Sequence, residues 1–174
     1  YRLRVETAYF RALAALGLGP LAKLPSELLD RLEEAYEPFT EETLSTLRAI
    51  EAQTRHDVKA IEYYLRQKWA QLFPPEHHEA LAFIHFGLTS QDVNNTAQPL
   101  MLRDALHKVY LPALGELLRV LHRQAYAWRE VAMLGFTHGQ PASPTTLGKE
   151  LYVFVERVRA ERERLEAIPF WAKV

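Results

Sequence analysis

The residues Leu102–Val120, LRDALHKVYLPALGELLRV, decide the fold class of this sequence. Apolar side chains recur there at intervals of three and four residues, at Leu102, Leu106, Val109, Ala113, Leu117 and Val120. This spacing places them on one face of an α-helix. A second stripe follows at Leu147, Leu151, Phe154 and Val158. We expect both stripes to be buried in a helical bundle. We also expect an exposed apolar face on the long helices, because bundle partners lie outside this chain or on other copies.

The composition favours the same class. The 174 residues include 49 Leu and Ala, 14 Val and Ile, and 7 Gly, so helix formers dominate. We predict an all-α protein with a small helical N-terminal domain over residues 1–88. Residues 89–174 are predicted to form the first part of a long central bundle. Neither end carries a helix start or stop signal, so we expect a fragment of a longer chain.

Several function classes are excluded by charge and composition. The 21 Lys and Arg balance 22 Asp and Glu, for a net charge of -1, which argues against nucleic-acid binding. No apolar run is long enough to span a membrane. There are 0 Cys, so disulfides and thiolate chemistry are absent. We expect a cytoplasmic protein.

Helix signals divide the N-terminal half. A first helix is predicted from Tyr1 to Leu16, and Ser26 and Thr40 are predicted to cap two short helices. A further helix is expected over residues 56–72, with an apolar stripe at Val58, Ile61, Leu65, Trp69 and Leu72. Residues 76–86 are predicted to form one more helix, which ends at Gly87.

The C-terminal half is predicted to begin with a long helical stretch that ends near Met133–Gly135. Pro99 and Pro112 should start or kink helices within it. A polar loop is expected at residues 137–142. Ser143 followed by Pro144 then resembles a helix start, with a capping hydroxyl and Pro at the first helical position.

Three polar segments therefore lie at predicted helix N-termini, namely residues 55–57, 89–92 and 137–146. A helix N-terminus presents free N–H groups and a partial positive charge, which favour phosphates and carboxylates. Ser, Thr and Asp at helix starts most often serve only as caps. His138 is the most reactive candidate, since an imidazole titrates near neutral pH. His77, His78 and His85 lack a complete ligand set, so no metal site is predicted.

The same three segments resemble signature motifs of the fumarase/aspartase superfamily. Residues 137–145, THGQPASPT, and residues 87–95, GLTSQDVNN, are similar to its second and first signatures. Residues 54–64, TRHDVKAIEYY, are similar to the motif that separates adenylosuccinate lyases from fumarases and argininosuccinate lyases. The three motifs occur in order along nearly the whole chain, so the resemblance is specific.

The resemblance implies an all-α homotetramer whose active sites each take segments from three subunits. It implies β-elimination of fumarate from adenylosuccinate, giving AMP, and from the succinylated imidazole-carboxamide ribotide of purine synthesis. The implied partners are a small nucleotide substrate and further copies of the chain, with no cofactor. The leaving nitrogen needs an acid, and the carbanion needs fixed positive dipoles.

The resemblance also assigns roles to residues. His138 is implied to be the general acid. Two groups are implied to bind substrate: the nucleotide contacts are Arg55, His56 and Asp57, and the succinyl carboxylate contacts are Thr89 and Ser90. Weaker candidates for lining the site are Lys59, Gln140 and Ser143. Arg55 stands where some members carry Asn, so its contact is either with phosphate or structural.

Two parts of the family's catalytic equipment are absent from this sequence. The base of the family is a Ser on a mobile Gly-Ser-Ser loop followed by Met-Pro and Lys, and no such stretch occurs here. The Arg-Tyr pair that binds phosphate is also absent. We therefore expect the 174-residue chain alone to be inactive.

Two other interpretations stay open at this point. The protein could be another superfamily lyase or the cycloisomerase that acts on carboxymuconate, against which residues 56–59 argue. It could also be a non-catalytic helical oligomerisation module, in which case the composition of the polar loop is accidental.

Overall fold

The computed structural model describes residues 1–173, which contain seven α-helices and one two-stranded antiparallel sheet. The helices are α1 (Arg2–Ala15), α2 (Ser26–Asp30), α3 (Glu41–Thr54), α4 (Asp57–Leu72), α5 (Ser90–Ala105), α6 (Leu111–Ala127) and α7 (Leu147–Glu166). The strands are β1 (Ala132–Thr137) and β2 (Gln140–Thr146). The all-α prediction is confirmed, with this hairpin as a minor addition. Within residues 1–173, none of the helices is long and apolar enough to cross a bilayer.

The chain divides into two compact units, of which the first comprises Tyr1–Met101. Its core is centred on Trp69 of α4, whose ring lies 4.9 Å from that of Phe10 and stacks on Phe73. The indole N–H of Trp69 donates a hydrogen bond of 3.0 Å to the carbonyl of Leu32, so this fully buried side chain has no unsatisfied polar atom. The aromatic cluster fixes α4 against α1.

The predicted elements of this first unit are mostly confirmed. Four of the five positions in the stripe on α4 are buried, at Val58, Ile61, Leu65 and Trp69, while Leu72 is half-buried. Thr40 caps α3 by accepting a hydrogen bond of 3.2 Å from the backbone N–H of Thr43.

Two predictions for short helices are wrong. Ser26 lies inside α2, whose N-cap is Pro25, because the proline already has the extended backbone that a cap position needs. Residues 75–83 form 3₁₀ turns instead of an α-helix. Their buried residues are the adjacent Ala80 and Leu81, which leaves no α-helical stripe to stabilise a regular helix.

The second unit, Leu102–Phe170, is formed by α6, α7 and the hairpin. Gly148 packs tightly against the end of α6: a Cβ built there would lie 2.2 Å from the carbonyl oxygen of Ala125 and 2.6 Å from the backbone of Arg129. Two backbone hydrogen bonds fasten the start of α7 to the end of α6, from Leu147 to Val131 at 2.9 Å and from Gly148 to Trp128 at 3.0 Å.

Prolines act differently at the two predicted break points. Pro112 lies in the first turn of α6, directly after a π-helical segment, Leu106–Tyr110. Because proline has no N–H, the regular bond to the preceding turn cannot form there, and a π-bulge absorbs the mismatch. Pro99 lies inside α5, which continues through it, so Pro99 does not start a helix.

The hairpin overturns the predictions for residues 128–146. The long helical stretch ends at Ala127, and the segment predicted to complete it is strand β1. Ser143 and Pro144 lie in β2, and the next helix begins at Leu147 with Thr146 as its cap. Gly135 and Gly139 disfavour helix here, and residues 138–139 supply a two-residue turn that joins the strands.

The first apolar stripe is largely exposed, and in the second one Phe154 is exposed while Leu147, Leu151 and Val158 are half-buried. Leu102, Val109, Leu117 and Val120 expose 42–68% of their surface, and Phe154 of α7 exposes 53%. The contact between α6 and α7 uses another face, where Ala125, Gly148 and Val155 are buried. The expected burial of both stripes is therefore wrong for residues 1–173, while the expected exposed apolar face is confirmed.

Candidate functional site

The start of α4 holds the first group of candidate residues. His56 is the N-cap, and its Nδ1 accepts a hydrogen bond of 3.0 Å from the backbone N–H of Lys59. In the neutral imidazole the proton is then on Nε2, which leaves that atom as a donor. Because the capping bond uses only Nδ1, His56 can cap the helix and still direct Nε2 toward a neighbouring group or a ligand.

Asp57 is an anion held in place by two contacts. Its Oδ1 accepts from the backbone N–H of Val58 at 2.9 Å, and its Oδ2 pairs with the guanidinium of Arg2 at 2.8 Å. Partial burial acts to raise the pKa of Asp57. The Val58 N–H and the positive charge of Arg2 outweigh it, so this pKa lies below its ordinary value. The carboxylate is therefore charged at neutral pH, in a fixed orientation.

The start of α5 holds the second group. Thr89 and Asp92 cap the helix reciprocally: Asp92 Oδ2 accepts from the Thr89 backbone N–H at 2.7 Å and from its hydroxyl at 2.8 Å. Thr89 Oγ1 in turn accepts from the Asp92 backbone N–H at 3.3 Å. These bonds from Thr89 lower the pKa of Asp92. The Thr89 hydroxyl proton is therefore committed to Asp92.

The two helix starts converge. Ser90 Oγ lies 3.4 Å from His56 Nε2, although the residues are 34 positions apart in the sequence. Both side chains lie at N-terminal ends of helices of 16 residues, where unpaired N–H groups favour an anion. The arrangement suits a small ligand that carries both hydrogen-bonding groups and negative charge.

Two further predicted residues surround these helix starts. Arg55 ends α3 in a left-handed conformation, with φ at 53°, and its backbone N–H donates to Glu51 at 2.7 Å. Its side chain is exposed. The ammonium of Lys59 pairs with the buried Glu62 at 2.6 Å, so Lys59 already neutralises a carboxylate of its own helix.

His138 occupies the tip of the hairpin in the second unit. His138 and Gly139 have φ of 51° and 74°, and they connect the paired residues Thr137 and Gln140. Positive φ at both central positions is typical of a type I′ turn. The imidazole is exposed and makes no hydrogen bond within residues 1–173. It is therefore free to reach a ligand.

The predicted helix N-terminus around His138 is wrong, because the residues near it belong to a strand. Gln140 and Ser143 are exposed on β2, and neither lies in the first turn of a helix. The actual start of α7 is capped by Thr146, whose hydroxyl oxygen accepts from the Lys149 N–H at 3.3 Å. Two of the three predicted helix starts therefore hold their candidate residues.

Two of the other histidines have hydrogen-bond partners within the fold. His78 Nε2 lies 3.0 Å from the carbonyl oxygen of Phe73, and His85 Nδ1 lies 2.5 Å from Glu6 Oε1. No group of three or more His, Asp or Glu within residues 1–173 is placed to hold a metal ion. A cavity of about 660 Å³ lined by Tyr9, Tyr36 and Asp92, among others, includes none of the candidate site residues.

The sequence motifs gave no sign of Arg2, Glu6 and Tyr9 of α1. Arg2 contacts Asp57 and Asn94, Glu6 contacts His85, and Tyr9 donates to the carbonyl of Phe86 at 2.9 Å. Their spacing of four and three residues along one helix is the only signal that could have connected them.

The chain belongs to the family described as lyases, whose profile matches residues 1–169. The chain is 42% identical over 178 residues to the adenylosuccinate lyase of Dictyostelium discoideum, covering 99% of this chain and 38% of that protein. It is 34% identical over 175 residues to the adenylosuccinate lyase of Escherichia coli strain K12, covering 100% of this chain and 38% of that protein. The chain thus spans about 38% of the length of these curated relatives.

A solved structure supports the fold. The 3-carboxy-cis,cis-muconate lactonizing enzyme from Pseudomonas putida superimposes with a TM-score of 0.71 at 30% sequence identity. The match covers 95% of this chain and 35% of that one.

Proposed function

We propose that the protein containing this chain is an adenylosuccinate lyase, which releases fumarate from adenylosuccinate by β-elimination and leaves AMP. We extend the proposal to the succinylated imidazole-carboxamide ribotide of purine synthesis. The observation that carries it is the contact of His56 with Ser90, which joins the motif typical of this branch to a signature of the superfamily. The identity of 34–42% with relatives of that name over the whole chain supports it.

The two helix starts suit the contacts that would hold this substrate. We assign the nucleotide part to Arg55, His56 and Asp57. The succinyl carboxylate is assigned to Thr89 and Ser90, where N-terminal N–H groups of α5 add positive potential. Thr89 contributes through the neighbouring backbone N–H groups at the start of α5, because its hydroxyl proton and its own N–H are bonded to Asp92. Lys59, Gln140 and Ser143 are assigned peripheral positions.

His138 is assigned the role of general acid. An exposed imidazole at a hairpin tip can enter a cleft formed with other subunits and give its proton to the departing nitrogen. The proton beside the carboxylate must be removed by a different group, because one imidazole does not serve as acid and base in the same step. The Ser loop of the family is absent from this sequence, so we expect the 174-residue chain alone not to release fumarate.

Assembly and location follow the same proposal. The exposed apolar side chains of α6 and α7 support burial against further copies of the chain, as in a homotetramer. Residues 1–88 would form the N-terminal domain, and residues 89–174 the first part of the central bundle. A nucleotide substrate suits a cytoplasmic enzyme.

The runner-up function is that of a muconate cycloisomerase. It is favoured by the structural match at 30% identity to the enzyme from Pseudomonas putida. The higher identity to adenylosuccinate lyases, together with residues 54–64, places it second.

The deciding experiment gives both substrates to the purified full-length protein. We expect loss of adenylosuccinate absorbance with AMP and fumarate formed in equal amounts, and no turnover of carboxymuconate. Turnover of carboxymuconate alone would establish the runner-up, and turnover of neither by folded tetramer would refute both. Sedimentation of the same sample measures the assembly, for which a stable monomer would contradict the homotetramer.

A further inference from the structure

One face of α1 contacts both motif segments of the first unit. Arg2, Glu6 and Tyr9 are spaced by four and three residues, so they lie on the same side of the helix. All three make polar contacts with residues at least 55 positions away, in or beside the two segments. Arg2 and Tyr9 are half-buried and Glu6 is buried. At the position of Glu6 a helix that only needed to pack would present an apolar side chain, since burying a polar group carries a desolvation cost.

Arg2 connects the two helix starts. Its guanidinium pairs with Asp57 Oδ2 at 2.8 Å, at the first residue of α4. Its Nε donates to Asn94 Oδ1 at 2.8 Å, one turn into α5 from Ser90. A single side chain therefore bridges the helices that carry His56 and Ser90. The planar fork of an arginine fixes both distances at once, whereas an ammonium is a single point charge.

Glu6 and Tyr9 hold the turn that leads into α5. Glu6 is 1% exposed and bonds His85, which has a left-handed backbone with φ at 62°. Such a backbone is unfavourable for a residue with a side chain, and it needs support from its surroundings. Tyr9 bonds the next carbonyl, that of Phe86. Both contacts lie within four residues of Thr89.

The burial of Glu6 argues against a purely structural purpose. Its second carboxylate oxygen, Oε2, has no hydrogen-bond partner within residues 1–173. A buried carboxylate is a weak source of stability, and apolar replacements of buried ion pairs are often neutral or stabilising. The contact with His85 therefore has to be explained by the geometry that it imposes.

We propose that Arg2 and Glu6 are positioning residues for substrate binding: Arg2 sets the distance between the starts of α4 and α5, and Glu6 orients the turn before Thr89 through His85. This inference rests on the proposed function for the identity of the substrate. Neither residue touches the substrate. Arg2 acts on Asp57, a ground-state contact, whereas Glu6 acts on the segment that binds the carboxylate beside the reacting carbon.

The test uses four variants of the full-length protein. Arg2→Met removes the bridge, and Arg2→Lys keeps its charge without the fork. Glu6→Met removes the acceptor for His85, and Glu6→Gln keeps one. Two controls are matched to them: Leu13→Ala weakens the buried face of the same helix, and Arg48→Met removes an exposed cation that has no ion pair among residues 1–173.

The kinetic expectation differs for the two residues. Arg2→Met should raise KM for adenylosuccinate about tenfold with little change in kcat, as expected for lost ground-state binding. Arg2→Lys should fall between it and wild type. Glu6→Met should lower kcat about tenfold, with most activity kept in Glu6→Gln. Both controls should keep wild-type constants at a temperature well below their Tm.

Amide hydrogen exchange gives a readout that does not depend on the substrate. Exchange should quicken at residues 57–60 and 89–93 in Arg2→Met, and at residues 85–92 in Glu6→Met, but not in the controls. Wild-type KM, kcat and exchange in Arg2→Met and Glu6→Met would overturn the inference. The inference would also be overturned if Arg2→Met and Glu6→Met lost no more activity than Leu13→Ala does at the same drop in Tm. If the wild type does not cleave adenylosuccinate, the proposed function is refuted. The positioning role is then tested by exchange alone, and unchanged exchange in Arg2→Met and Glu6→Met refutes it.

Discussion

Gly148→Ala should destabilise the second unit strongly for a change of one methyl group. The added Cβ would lie 2.2 Å from the carbonyl oxygen of Ala125 and 2.6 Å from the Cα and N atoms of Arg129. Non-bonded heavy atoms prefer about 3.5 Å or more, so the helices must separate by roughly 1 Å. The three obstructing atoms are backbone atoms and have no rotamer to change.

The expected cost combines two effects. Overpacking of this kind costs about 1–3 kcal/mol. The hydrogen bond from the Gly148 N–H to Trp128, 3.0 Å long, lies at the same contact. Its loss would add about 1 kcal/mol. We therefore expect the free energy of unfolding to fall by about 3 kcal/mol.

The measurement is urea unfolding of the full-length protein at fixed concentration, with Gly115→Ala as the matched control. Gly115 lies inside α6, and a Cβ there would be 3.7 Å from the flexible guanidinium of Arg162. Alanine should be accommodated and should stabilise the helix by about 0.5–1 kcal/mol. A Gly148→Ala protein as stable as wild type would refute the close-packing argument.

Two further perturbations test local features of the first unit. Asp57→Asn should lower the Tm at pH 7, and should lower it by less at an acid pH below the ordinary pKa near 3.9. The folded-state pKa is depressed, so the stability is fully present above the ordinary value and is lost as the pH falls through the folded-state value. A Tm difference that is the same at both pH values would contradict this. Thr40→Ala should cost about 1 kcal/mol in urea unfolding, because it removes the cap of α3. Thr46→Ala, within the same helix, should cost clearly less.

The helices of the first unit could be predicted because their apolar spacing and caps agree. The stripe on α4 and the cap at Thr40 are local signals that packing did not override. The second unit was harder, since Ser143 followed by Pro144 satisfies the rules for a helix start. The pairing of β1 with β2 depends on the turn at residues 138–139, and such a pairing is not visible in a helical periodicity.

The candidate site was predictable in its residues and less so in its supports. His56, Ser90 and His138 belong to recognisable motifs, and the helix starts at α4 and α5 follow from ordinary capping rules. The contact between His56 and Ser90 required the fold. Arg2 and Glu6 lie in α1, far from any motif, and their contacts with the two motif segments are visible only in the fold.

Substitution of the proposed acid tests the central claim most directly. The full-length His138→Gln protein is compared with wild type in steady-state cleavage of adenylosuccinate, and substrate affinity is measured separately by calorimetry. We predict a fall in turnover of roughly 10²–10⁴ with affinity changed far less, because proton donation matters mainly in the transition state. Near-normal turnover in His138→Gln would contradict the account and leave His138 as a residue that orders the hairpin turn.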